Sequence, residues 1–114
     1  MTASNYDTAS ISPVSETNRF SELLKSAIHG FCFNLKEHVL ATHREIAVLR
    51  RCSEFLHNEP NRVVHIVAPS HHKQIEFFEK TLMHLGVSCG QINLNTGTSI
   101  AGGAKDIWLL VAEK

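Results

Sequence analysis

The chain has 114 residues, 43% of them hydrophobic and 19% charged; that is the size of one domain and too apolar for a disordered chain. Eleven basic residues balance eleven acidic ones with the eight histidines neutral, so a global electrostatic hold on nucleic acid or an anionic membrane is not indicated, and only a local patch is left. The longest apolar run, Ile107 to Ala112, is strand-length, far short of the roughly 18 to 20 residues that span a bilayer.

Residues 1–14 are polar and Ser/Thr-rich, end at Ser12-Pro13, and read as a flexible tail. They have neither the cationic start nor the apolar stretch of a secretory signal. Thr2 stands where N-myristoylation needs glycine, so the expected compartment is the cytosol. From Ser15 the pattern turns helical: Phe20, Leu23, Leu24, Ala27 and Ile28 recur on one face, and Gly30 supplies a stop. Phe31 to Leu35 fits a strand, followed by a loop with Lys36, Glu37 and His38.

Thr42 with Glu45 three residues on forms a capping box. Ile46, Leu49, Cys52, Phe55 and Leu56 carry that helix to about His57, where Asn58-Glu59-Pro60-Asn61 breaks it. Val63 to Ala68 is nearly continuously apolar, as suits a parallel strand covered on both faces. Pro69 ends it. Ser70 is expected to cap a third helix with the stripe Ile75, Phe78, Leu82 and Leu85, closed by Gly86.

Val87 to Asn95 reads as a strand bent at Gly90. A turn at Thr96-Gly97 is expected to let Thr98 to Ile100 pair back, before a second loop at Gly102-Gly103. Asp106 to Ala112 is the most apolar strand and is expected at the centre. The order of elements predicts a single α/β domain over 15–114, three-layered, with a mostly parallel sheet of Rossmann-like topology. Cys32, Cys52 and Cys89 are odd in number and far apart, which fits free thiols behaving as small hydrophobes and not a disulfide framework.

Three segments share features with a known family. Arg62 to Ser70, "RVVHIVAPS", is similar to the second strand of the P-loop NTPase core in superfamily 2 helicases and phage terminase large subunits, where an apolar strand ending in Ala-Pro-Ser leads into a helix. Gln91 to Ile100, "QINLNTGTSI", resembles the small hairpin before their metal-binding strand. Asp106 to Glu113, "DIWLLVAE", resembles their Walker B strand. The resemblance covers about residues 30–114 and implies a P-loop NTPase-like fold.

It also implies that the catalytic groups are gone. The segment at the phosphate-loop position, "KEHVLATHRE", has no glycine and no Gly-Lys-Thr, so backbone N–H groups cannot surround a phosphate there. Ala112 stands where a Walker B Asp would hold magnesium, and Glu113 matches the catalytic Glu with no metal carboxylate beside it. Gly97, Gly102 and Lys105 mimic a phosphate loop, but the spacing is wrong and a strand follows instead of a helix N-terminus. What the resemblance leaves is a degenerate scaffold with no cofactor.

The remaining chemistry is sparse. His71 and His72 are adjacent and point roughly 100° apart on a helix. His38 and His43 have no Cys-x-x-Cys or His-x-x-x-His beside them, so no metal site is expected. His65 lies in an apolar strand and reads as a hydrogen-bonded core residue. Ser70 lacks the flanking glycines of a nucleophile elbow, and Cys32 has no evident group to lower its pKa. No catalytic residue is assigned.

Between His29 and Lys73 the basic residues Lys36, Arg44, Arg50, Arg51, Arg62 and Lys73 outnumber Glu37, Glu45, Glu54 and Glu59. In open α/β sheets ligands bind at the carboxyl ends of the strands. The candidate binding residues there are Lys36, His43, Arg44, Arg50, Arg51, Ser70, His71 and Lys73.

The function expected from these readings is a non-catalytic protein-interaction module, an accessory subunit or inhibitor of viral or mobile-element origin. Its partner would be another protein or a second copy of the chain, and not a membrane. Two alternatives stand beside it. One is a nucleic-acid-associated module of replication, packaging or repair. The other is a small enzyme using His38, His43, His71 and His72 for acid–base chemistry.

Overall fold

The computed structural model describes residues 12–36, 41–97 and 106–114. In chain order the elements are α1 (Ser12–Ser26), β1 (Ala27–Asn34), α2 (His43–Leu56), β2 (Arg62–Ala68), α3 (Lys73–His84), a 3-10 turn (Cys89–Gln91), β3 (Ile92–Thr96) and β4 (Asp106–Glu113). The four strands form one sheet in the order β1-β4-β2-β3.

The sheet is mixed, which corrects the expectation of a mostly parallel, Rossmann-like sheet. β4 runs antiparallel to both its neighbours, with Phe33 opposite Ile107 on one side and Ile66 opposite Leu109 on the other. Only β2 and β3 pair in parallel, Val64 with Ile92 through Ala68 with Thr96. The apolar run of β4 identified a central strand correctly, because it is buried on both faces. Burial carries no information about direction. Direction follows from the connection: only residues 97–105 separate β3 from β4, whereas a parallel crossover takes a dozen residues or more.

One face of the sheet carries the main core. Phe33, Val64, Ile66, Ile107, Leu109 and Val111 meet Leu49, Cys52 and Leu56 of α2 and Ile75, Phe78 and Leu82 of α3. The other face is covered by α1 in a smaller cluster. Phe20 is buried against Val67 and Leu110, with Leu23, Ala27 and Trp108 packed around them. The Phe20 and Trp108 rings lie 5.7 Å apart and tilted by 60°. The Arg19 guanidinium donates to Asn95 Oδ1 at 3.0 Å. His65, on this same face, is only half-buried, and its Nδ1 is buried without a hydrogen-bond partner, as is Trp108 Nε1. The expected hydrogen-bonded core histidine is therefore corrected.

Several element boundaries move. α1 begins at Ser12, inside the segment read as a tail, and ends at Ser26, so Ala27, Ile28 and Gly30 belong to β1. Gly30 is a strand residue facing Leu110, where a Cβ would stand 3.2 Å from Leu110 Cδ2. That close approach, and not a helix stop, explains the glycine. The register shifts between Ala27 and His29, and Ile28 is left exposed. α3 is capped by His72, whose Nδ1 accepts from Gln74 N–H at 3.0 Å, while Ser70 is exposed in the bend before it. An imidazole acceptor fills the place that a serine hydroxyl was expected to fill.

Val87 and Ser88 precede β3 and are not part of it. Ser88 caps the 3-10 turn, and Gln91 Nε2 lies within hydrogen-bond reach of the Leu56, Glu59 and Arg62 carbonyls, at 3.1, 3.0 and 3.3 Å. The capping box at Thr42 and Glu45 and the left-handed closure of α3 at Gly86 (φ 101°) match the sequence reading. Cys52 is buried, Cys32 half-buried and Cys89 exposed, all three free. His38, Thr98 to Ile100 and the Gly102-Gly103 loop lie outside the described residues.

Candidate functional site

β1, β2 and β3 end at the same edge of the sheet at which β4 begins, because Asn34 pairs with Asp106 and Ala68 with Thr96. α2 and α3 both start there. The first turns of both helices, each with one N–H taken by its cap, therefore open toward one rim.

Three buried or half-buried side chains hold that rim together. Lys36, just past β1, donates its backbone N–H to Gln74 Oε1 at 2.7 Å. Its Nζ pairs with Glu45 Oε2 at 2.7 Å. Glu45 Oε1 accepts from Thr42 N–H at 3.2 Å, and Thr42 Oγ1 accepts from Glu45 N–H at 3.1 Å. Gln74 and Glu45 are almost fully buried. Thus β1, α2 and α3 are tied together by one amide and one carboxylate.

Outside this tie the rim is exposed and polar. The Arg44 guanidinium lies 5.6 Å over the Phe33 ring, which sets its direction without using its donors. His71 Nε2 and Glu76 Oε2 are 2.7 Å apart. The hydrogen bond to His71 is the main cause holding the Glu76 carboxyl below its ordinary range, with the charges of His71, Lys80 and Lys73 adding to it. The Cys32 thiol is pushed up by burial first and by Asp106 second, with Arg44 pulling the other way. Burial alone pushes Cys52 up to about 12. Neither thiol is an activated nucleophile. Among the described residues no three His, Cys, Asp or Glu side chains group closely enough to hold a metal, and no helix is long and apolar enough to cross a membrane.

Of the residues singled out in the sequence, Lys36, His43, Arg44, Ser70, His71 and Lys73 lie at this rim. Arg50 and Arg51 do not. They sit about two helical turns along α2, about 10 Å or more from its start at 1.5 Å per residue. Arg51 lies 5.4 Å over the Phe55 ring, which stacks on His29 at 3.7 Å near the opposite end of the sheet. Sequence reasoning missed Gln74 and Glu76, considered His72 only for metal or acid–base chemistry and not as a cap, and read Glu45 only as a cap. The Thr42-x-x-Glu45 spacing was the available signal for Glu45. Nothing in the spacing of Gln74 marks it out. The rim can present cationic and N–H donors beside carboxylates, groups that can hold a polar ligand carrying carboxylates and amides.

No family model and no curated protein matches this sequence. Solved structures do match the fold. The peptidoglycan-associated lipoprotein from Burkholderia pseudomallei superimposes with a TM-score of 0.54 at 16% identity, over 81% of this chain and 93% of that one. The periplasmic domain of Helicobacter pylori MotB (residues 97–256) gives 0.53 at 9% identity, over 75% and 80%. A longer crystal form of that domain (residues 78–256) gives 0.51 at 8% identity, over 75% and 76%.

The likeness is one of fold. It corrects the P-loop NTPase resemblance, since these three structures are neither helicases nor terminases and the Walker B-like strand runs antiparallel to both neighbours. The short apolar motifs "RVVHIVAPS" and "DIWLLVAE" reported only buried strands. The same finding overturns the degenerate-NTPase interaction module or inhibitor, its viral or phage-like origin and the nucleic-acid alternative. The cytosolic expectation is corrected on the same finding, because the matching structures are a periplasmic domain and a lipoprotein.

Proposed function

We propose that this domain is a peptidoglycan-associated module of the bacterial cell envelope, binding the polymer at the rim where α2 and α3 begin. The observation that carries the reading is the superposition on the peptidoglycan-associated lipoprotein, which takes in nearly all of that chain. The chemistry of the rim supports it. Peptidoglycan presents amino-sugar hydroxyls and amides, and short peptides with free carboxylates. Arg44, His71 and Lys73 supply exposed donors toward such carboxylates, and Glu76 supplies an acceptor. Lys36, Glu45 and Gln74 hold the three elements in place behind them. A protein partner belongs to the same proposal: β1 and β3 are edge strands, each with one side of its backbone unpaired within the sheet.

Co-sedimentation with purified, insoluble peptidoglycan tests this. The chain is expected in the pellet and to be released by soluble muropeptides. Arg44→Ala combined with Lys73→Ala is expected to lower the bound fraction at least tenfold with an unchanged thermal midpoint. Retention in the supernatant across a range of peptidoglycan concentrations overturns the reading.

A further inference from the structure

α1 differs from the other helices in what lies beneath it. α2 and α3 rest on the large apolar main core. α1 rests on a small cluster built from Phe20, Leu23 and Ala27 against Val67, Leu110 and Trp108. His65 stands in the same face. It pairs with Leu110 across β4 and with Asn93 across β3, and Val67 and Trp108 occupy the next row. Two polar atoms in this cluster, His65 Nδ1 and Trp108 Nε1, are buried with no hydrogen-bond partner.

The partnerless Nδ1 makes the cover sensitive to acid. A neutral imidazole can carry its hydrogen on Nε2 and leave Nδ1 as a lone pair, whereas an imidazolium carries a hydrogen on both nitrogens. Protonation therefore forces a charged donor into a site where no described group accepts. The described groups facing His65 carry no compensating negative charge. β4 presents Leu110, Trp108 and Ala112, and β3 presents Asn93 and Asn95. None of these is charged. Among the described side chains of α1 the charged group that acts on His65 is Arg19, also a cation, anchored to Asn95 at 3.0 Å.

We infer that α1 is an acid-released clamp: protonating His65 beneath it peels the helix from the sheet about the Ser26–Ala27 junction, while the core on the other face stays folded. Burial, and then the Arg19 charge, lower the pKa of His65 below its ordinary 6.5. The sign follows. The released state takes up the proton more readily, so docking weakens as pH falls through 6.5 and levels off below the docked-state value. Within that window the docking equilibrium shifts by up to about tenfold per pH unit. This holds whatever the opposite rim binds.

The single tryptophan, Trp108, packs on Phe20 of α1 and reports the release. The test follows the full chain from pH 8 to pH 5 at constant ionic strength. It reads Trp108 emission, tryptic cleavage after Arg19 and Lys25, and alkylation of the core thiol Cys52. Emission and cleavage are expected to change together below pH 6.5 while Cys52 stays protected. His65→Gln is expected to abolish both changes. A flat response in the unaltered chain, the same transition in His65→Gln, or Cys52 reacting at the same midpoint each overturns the inference. Should His65→Gln not fold, a proton NMR titration of the unaltered chain decides it: a His65 midpoint below 6.5 that coincides with the change in Trp108 emission supports the clamp, and a His65 titration that leaves Trp108 and the α1 amides unmoved sinks it.

Discussion

At Glu45 one carboxylate oxygen accepts from the Thr42 amide and the other pairs with Lys36, in a side chain almost fully buried. Losing it removes a helix cap and leaves Thr42 N–H and Lys36 without their partner. Glu45→Ala is therefore expected to lower stability by about 2 kcal/mol. Thr42→Ala, which removes only the hydroxyl acceptor, is expected to cost about 1 kcal/mol. Urea unfolding of the two variants checks the order. Thiol chemistry separates two other residues. Cys89 is exposed and is expected to be the first alkylated under native conditions, while Cys52, buried and with its thiol pushed up to about 12, reacts only after unfolding. Peptide mass mapping over time gives the order directly. At Glu76 the hydrogen bond to His71 favours the carboxylate. Its contribution is present above the ordinary carboxyl pKa and is lost as pH falls through the lowered one. In His71→Ala the Glu76 titration midpoint is expected to rise toward 4.5, as followed by NMR.

Among the elements, Gln91 has the widest reach. Its amide lies against carbonyls from the end of α2, from the following loop and from the first residue of β2. Gln91→Leu keeps the bulk and removes the side-chain donor, while Leu56 O and Glu59 O each keep a backbone N–H partner, an expected loss of about 1 kcal/mol visible as a lower thermal midpoint. α2 was legible in the sequence from cap to end, because Thr42, Glu45 and the apolar stripe state the same thing in three ways. The central place of β4 was legible from its apolar run. The start of β1 was not: Ala27 and Ile28 continue the helical spacing of Phe20, Leu23 and Leu24, and only pairing with β4 decides that they are strand. The cap of α3 was misplaced because His72 does the work usually done by a hydroxyl. At the rim, Lys36, Arg44 and His71 were visible as charged or titratable residues near strand ends. Gln74 was invisible, since a buried amide in a helix leaves no periodic trace.

For the molecule as a whole, two covers of unequal strength lie on one sheet. Hydrogen exchange is expected to rank them. Amides of β4 and β2, central and paired on both sides, should exchange slowest, α2 and α3 next, and α1 fastest among the helices. Equal protection of α1 and α3 would contradict the weak seating of α1. The error in reading the fold also belongs to this scale. Local patterns gave each strand its burial, but strand direction depends on loop length and on which strands become neighbours, and these are properties of the complete chain.

The pairing of β1 with β4 also sets when the protein can fold. Ala27 meets Ala112 and Asn34 meets Asp106, so an early-made strand waits for one of the last. β4 also separates β1 from β2. A chain emerging N-terminus first, from a ribosome or from a translocation channel, can bring β2, α3 and β3 together, but it holds a half-sheet with an open gap until Glu113 has emerged. During that interval the apolar flanks of β1 and β2 face water, and a holdase that masks them would decide the yield of native protein.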